Sequence, residues 1–181
     1  MEITLTQRTS FRERLAGMIV NFSKPIYFLL RYKRKAWKIT QEELSAFPEN
    51  SLGKDLSNFL TSNNIQLMPK AEFHDVYHVL LGYGTSMREE TCIQFVSMGN
   101  GKYSLPHLAA NFTSLLFYPE YWGDFKQAFL RGRKAARFHD VDFENLLKMP
   151  TSRLRECLLH KKDRYILGLF VLQFFCSILE N

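Results

Sequence analysis

The chain has 181 residues, 46% hydrophobic and 23% charged, with a formal net charge of +6. That length suits one domain with a real core and is short for two, and the composition excludes a disordered or fibrous protein. Cys92, Cys157 and Cys176 are odd in number, widely spaced and without a CxxC pair, which argues against a disulfide framework or a sulfur-ligated metal and for a reducing compartment.

Residues 1–40 read as a basic amphipathic segment. Between Arg8 and Lys38 lie nine Lys or Arg and a single acidic residue, Glu13, so the positive charge is local. Interleaved with Phe22, Ile26, Phe28, Leu29, Leu30 and Trp37, these residues suit an anionic membrane surface as well as a helix with a solvated basic face. No nucleic-acid motif accompanies them, so nucleic acid is a weak expectation as partner. The apolar run from Leu15 to Val20 is too short for a secretory signal, and an ordinary helix explains the Arg-rich start better than a transit peptide.

Strict apolar alternation is scarce, whereas apolar residues three and four apart recur, so the expected fold is all-α, a single multi-helix domain with its core over 41–160. Thr40 and Glu43 have capping-box spacing and open a short helix ending near Phe47-Pro48. A second helix runs from Ser51 to Leu60, with Leu52, Leu56, Phe59 and Leu60 on one face, and stops in the polar run Thr61 to Asn64. The next spans Ala71 to Leu81 and ends at Gly82-Tyr83-Gly84. Ser86 and Glu89 repeat the capping spacing and start a helix over Met87 to Met98, closed by Gly99-Asn100-Gly101. That glycine pair lacks the strand and the GKS/T ending of a phosphate loop. Further helices are expected over Pro106 to Phe117, Glu120 to Arg137 and Pro150 to Leu159. Residues 161–181 are expected to form an apolar C-terminal helix, whose run from Tyr165 to Leu179 is short of the roughly 20 residues that cross a bilayer. A buried helix or subunit contact is the first expectation for it, membrane attachment the second.

On the third predicted helix, His74 and His78 stack one turn apart, with Asp75 three residues before His78. Imidazole nitrogen with carboxylate oxygen suits zinc, iron, manganese or cobalt, zinc being the first expectation. Glu90 falls in the first turns of the following helix, after a glycine-bearing reversal that can fold it back as a further ligand. The plain alternative is a histidine pair hydrogen-bonded to a neighbouring carboxylate. Asp75 stands where an HExxH protease has glutamate, but its shorter side chain argues against that chemistry. His107, His139 and His160 receive no role.

The string HDVYHVLLGYGTSMREE, from His74 to Glu90, has HDxxH, eleven residues and then Glu, and resembles the signature of the Coq-four family of ubiquinone biosynthesis. FPENSLGKDLSNFL, from Phe47, is similar to that family's proline, small loop and LG segment. RGRKAARFHDVDFENLLKMPTSRLRECL, from Arg131, resembles its ending, with Phe143 where Trp is common. The likeness runs from about 42 to 160 in one order, and the apolar tail after His160 lies beyond it.

The resemblance implies an all-helical protein, often oligomeric and membrane-associated, acting on polyprenylated aromatic rings. It implies metal ligation, and the catalytic role, at His74, Asp75, His78 and Glu90. The expected activity is C1 decarboxylation of a polyprenylated benzoate, oxidative where the metal is redox-active. The alternative is a non-catalytic scaffold that binds prenyl lipid and organises other quinone-biosynthesis proteins. Expected partners are the prenyl lipid, a membrane surface, a second copy and those proteins. The expected location is cytoplasmic, at the inner face of a bacterial membrane, or the mitochondrial inner membrane in a eukaryote. Phe73, Phe95, Phe112, Leu116 and Phe117 are candidate walls for the isoprenoid tail, and Arg131, Arg133 and Lys134 candidate partners for an anionic head group.

Overall fold

Capping chemistry sets the first helix boundaries. The computed structural model describes residues 35–159. The chain groups into two units, Met1–Lys35 and Ala36–Asn181, and the elements described belong to the second. Apart from residues 35–40, the basic segment lies outside the described residues, as does the apolar tail.

Helix α1 (Gln41–Ser45) opens on a closed capping box, in which the Thr40 hydroxyl accepts from the Glu43 N–H and the Glu43 carboxylate from the Thr40 N–H. Helix α2 (Leu52–Ser62) starts at Ser51, whose hydroxyl accepts from the Lys54 N–H. Two more of its unpaired N–H groups, on Leu52 and Gly53, donate to the carbonyls of Met149 and Leu147, each at 2.8 Å. The start of α2 is thereby stitched to the approach to the last described helix, α7 (Thr151–Leu159).

Helix α3 (Glu72–Leu81) buries Phe73, Val76, Tyr77, Leu80 and also His78. It stops at Gly82, whose φ of 71° is left-handed and costs a glycine little. Two arginines cover its last carbonyls. Arg131 donates to Leu81 O at 2.9 Å, and Arg155 to Val79 O at 2.8 Å and Leu80 O at 3.2 Å.

Helix α4 (Met87–Gly99) packs on α6 (Trp122–Lys134), with Phe95 stacked on Phe125 at 5.0 Å between centroids. The backbones touch at Gly99 and Gly132, where an added Cβ would run into the carbonyl groups of Phe129 and Val96 respectively. Helix α5 (Leu105–Phe117) lies between them in sequence, and 3₁₀ turns occupy Pro119–Tyr121 and Glu144–Leu146. Among the described residues there is no strand, only an isolated bridge between Ser51 and Pro150, so the all-α expectation holds. No helix among them is long and apolar enough to cross a membrane.

Two expectations differ. The helix expected to reach Arg137 ends at Lys134, because Ala135 turns extended and the Ala136 N–H is taken by Leu158 O at 2.7 Å. Buried Asn100 holds the same turn, donating to Ala136 O at 2.8 Å and accepting from the Phe138 N–H at 2.9 Å. The five candidate channel residues do not share one environment either. Phe73 and Phe95 are core, whereas Phe112 and Leu116 are each 63% exposed, because α5 turns an apolar face outward and buries Asn111.

The glycine contact gives a test with opposite signs on one helix. Gly132→Ala should destabilise the protein by about 1–3 kcal/mol or more through overpacking. Gly123→Ala, with nothing within 4 Å of the new Cβ, should be neutral or stabilising by up to about 1 kcal/mol. Urea unfolding of both variants reads the difference.

Candidate metal centre

A buried histidine needs a partner for each ring nitrogen. His78 is only 3% exposed and stacks on Phe59, with centroids 4.9 Å apart. Its Nδ1 lies 3.2 Å from Tyr83 O and 3.0 Å from Gly84 O. Carbonyl oxygens only accept, so Nδ1 carries the proton and donates. In the neutral ring Nε2 then holds a lone pair, and it faces Glu90 Oε1 at 3.2 Å. Two acceptors so close require a cation between them, either an imidazolium proton or a metal ion.

Glu90 gets there because its neighbour takes the capping work. The Ser86 hydroxyl accepts from the Glu89 N–H, and the Glu89 carboxylate accepts from the Ser86 hydroxyl at 2.6 Å and the Gly84 N–H at 2.9 Å. These donors hold the Glu89 carboxyl below the usual carboxylate range. Glu90, next on α4, projects instead toward α3, its Oε2 3.3 Å from His74 Nε2. One ligand atom each from His74, His78 and Glu90 lies within 4.8 Å of the others. A tetrahedral ion with bonds of about 2.1 Å sets its ligands roughly 3.4 Å apart, so little movement would close the group on a metal.

Asp75 is not among the three. It stands one residue round α3, about 100° from His74, with Oδ1 3.9 Å from His74 Nδ1. Its Oδ2 is buried without a hydrogen-bond partner among the described residues, an acceptor in want of a cation or proton. Burial pulls the His74 imidazole toward neutrality, but the carboxylates of Asp75 and Glu90 outweigh it and push the pKa up to about 9. Burial likewise opposes ionisation of Glu90, and the two histidines overcome it, holding the carboxyl at about 2.

An open cleft of about 550 Å³ borders His78 and is lined by Asp55, Phe59, Asn63, Tyr83 and Arg155 among others. The candidate head-group residues lie elsewhere. Arg131 is committed to Leu81 O and to the Tyr83 ring, 5.4 Å from its centroid, while Arg133 and Lys134 are exposed. His107 Nε2 pairs with Gln94 O at 2.9 Å, and His139 Nε2 with Asp140 at 3.2 Å.

Residues 67–162, just over half of the chain, match the family model of the coenzyme Q (ubiquinone) biosynthesis protein Coq4. The chain belongs to this family. The match contains the three converging residues as well as Asp75, and it places the Coq4-family chain in ubiquinone biosynthesis. A crystal structure from Nostoc punctiforme PCC 73102, of a protein provisionally described as a ubiquinone biosynthesis protein, has the same fold at a TM-score of 0.56. The two are 16% identical, and the alignment covers 80% of each chain. No individually curated protein matches the sequence.

The sequence did not point to the groups around the ligands: the Tyr83 and Gly84 carbonyls, Phe59, Glu89 and Arg155. Carbonyls carry no signature in the residue letters, and only the glycine at Gly84 hints at a close approach. Arg155 is open to a direct test. Its removal leaves two carbonyls at the end of the His78 helix without a charged donor, so Arg155→Ala should cost about 1.5–3 kcal/mol in urea unfolding.

Proposed function

We propose that this Coq4-family protein is a metal-dependent decarboxylase that acts on a polyprenylated benzoate ring, with His74, His78 and Glu90 holding a divalent ion and Asp75 completing the set. The observation that carries this reading is the convergence of two imidazole nitrogens and a carboxylate from successive helices, with the buried imidazole oriented from behind by backbone carbonyls. That support is the usual arrangement behind a metal-ligating histidine. Zinc is the first expectation; iron, manganese and cobalt take the same donors.

When bound, such an ion supplies a Lewis acid for a phenolate or carboxylate oxygen of the ring. The protein supplies the rest. Phe59 and Tyr83 give the cleft beside His78 aromatic walls suited to a flat ring, and Asp55 and Arg155 give it opposite charges for orientation. Asp75 Oδ2 offers a buried acceptor for a proton or the ion. Loss of the C1 carboxylate as carbon dioxide leaves an electron pair on the ring carbon. That pair is taken by a proton or, with dioxygen and a two-electron reductant, by an oxygen atom. The protein works peripherally at a membrane surface, where a prenylated substrate resides.

A second reading has its own observation. Leu105 is 83% exposed, and with Leu108, Phe112 and Leu116 it forms an outward apolar face on α5, larger than isolated exposed residues explain. A scaffold that holds a prenyl lipid or partner enzymes would use such a face, with a metal serving structure alone.

Release of labelled carbon dioxide from a carboxyl-labelled polyprenyl hydroxybenzoate separates the two. Under the enzymatic reading the native protein releases label, chelation stops it, readdition of metal restores it, and His78→Ala falls to background while keeping its helical circular dichroism. Under the scaffold reading, quinone output in cells survives His78→Ala.

A further inference from the structure

The peptide unit between Tyr83 and Gly84 is engaged at both ends. Its N–H, on Gly84, donates to Glu89 Oε1 at 2.9 Å, and its C=O, on Tyr83, faces His78 Nδ1 at 3.2 Å. The next carbonyl, of Gly84, accepts from the same Nδ1 at 3.0 Å. A peptide whose N–H is bound by an ionised carboxylate has a more electron-rich carbonyl, because hydrogen-bonded dipoles in series polarise one another. The carboxylate also fixes the plane of that peptide and so the direction in which its carbonyl points.

The fit is close on the glycine side. A Cβ on Gly84 would sit 2.8 Å from Glu89 Oε2 and 3.2 Å from Oε1, so only glycine lets the carboxylate come this near. The loop is anchored to the same histidine from the other side, since the N–H groups of Gly82 and Tyr83 both donate to His78 O, at 2.9 and 3.2 Å.

We propose that Glu89 is a positioning residue for the metal centre: through the Tyr83–Gly84 peptide it keeps the proton of His78 on Nδ1 and aims the Nε2 lone pair at Glu90. The peptide takes the place of the carboxylate that touches a ligating histidine directly in many metal sites. The adjacent acidic residues Glu89 and Glu90 thus divide the work, one orienting a ligand and the other serving as one. This inference rests on the metal-site reading, and its test is arranged to separate the two.

Long-range proton–nitrogen spectra of the histidine rings, recorded on metal-free protein at a pH alkaline enough to remove the imidazolium proton between His78 Nε2 and Glu90, report the tautomer of the neutral His78 ring. Competition against a chromophoric chelator reports affinity for zinc ion. The native protein should show a single Nδ1–H tautomer. Glu89→Ala should give a tautomer mixture and bind zinc roughly 10–100-fold more weakly. Glu89→Gln, whose amide oxygen still accepts from the Gly84 N–H, should restore both. Glu89→Met fills the same space without an acceptor for the Gly84 N–H, and should reproduce the Glu89→Ala tautomer even where Glu89→Ala folds poorly. Ser51→Ala, which removes a helix cap remote from the site, should lower the melting temperature and leave both readouts unchanged. A folded Glu89→Ala or Glu89→Met that retains the single tautomer overturns the proposal. A native protein that takes no zinc, while Glu89→Ala still loses the tautomer, overturns the metal reading and leaves the positioning role standing.

Discussion

The Glu90 carboxylate crosses from α4 to α3 and meets both imidazoles, 3.3 Å from His74 Nε2 and 3.2 Å from His78 Nε2. Much of the structure around it keeps that meeting in place. Gly82 ends α3 in a left-handed turn just past His78, and Arg131 and Arg155 hold the carbonyls there. Gly99 and Gly132 let α4 lie hard against α6, so the helix that carries Glu90 is fixed by backbone contact as well as side-chain packing. His74, His78 and Glu90 form a partly buried cluster whose facing acceptor atoms are satisfied when a cation lies between them.

The site is also layered. Behind His78 stand Phe59, stacked on the ring, and the two carbonyls that orient it. Behind the carbonyls stands Glu89, itself held by Ser86. A ligand ring fixed at its face and at its far nitrogen loses little further freedom on binding, and pre-organisation of this kind favours affinity. Asp75 stands apart from the other three, buried at one oxygen and offset round the helix from His74.

Much of this was legible in the residue letters where local chemistry governs. Thr40 with Glu43 and Ser86 with Glu89 marked helix starts, Gly82 marked a stop, and the one-turn spacing of His74 and His78, with Glu90 beyond a glycine-bearing reversal, pointed to three residues that the structure brings together. What failed to show was set by distant partners. The end of α6 at Lys134 depends on Asn100 and Leu158 claiming the backbone of Ala136, which no local pattern encodes. Phe112 and Leu116 of α5 read as channel walls because periodicity reveals a face and not its direction. Glu89 was visible as a cap, but its second role passes through a peptide group and leaves no trace in the sequence.

Metal content tests the central claim most directly. Elemental mass spectrometry of the purified protein, alongside His78→Ala and Glu90→Ala, should find close to one equivalent of a single divalent ion in the native chain and far less in both variants. A native protein that holds no metal even after reconstitution, or variants that hold as much as it does, would contradict the account.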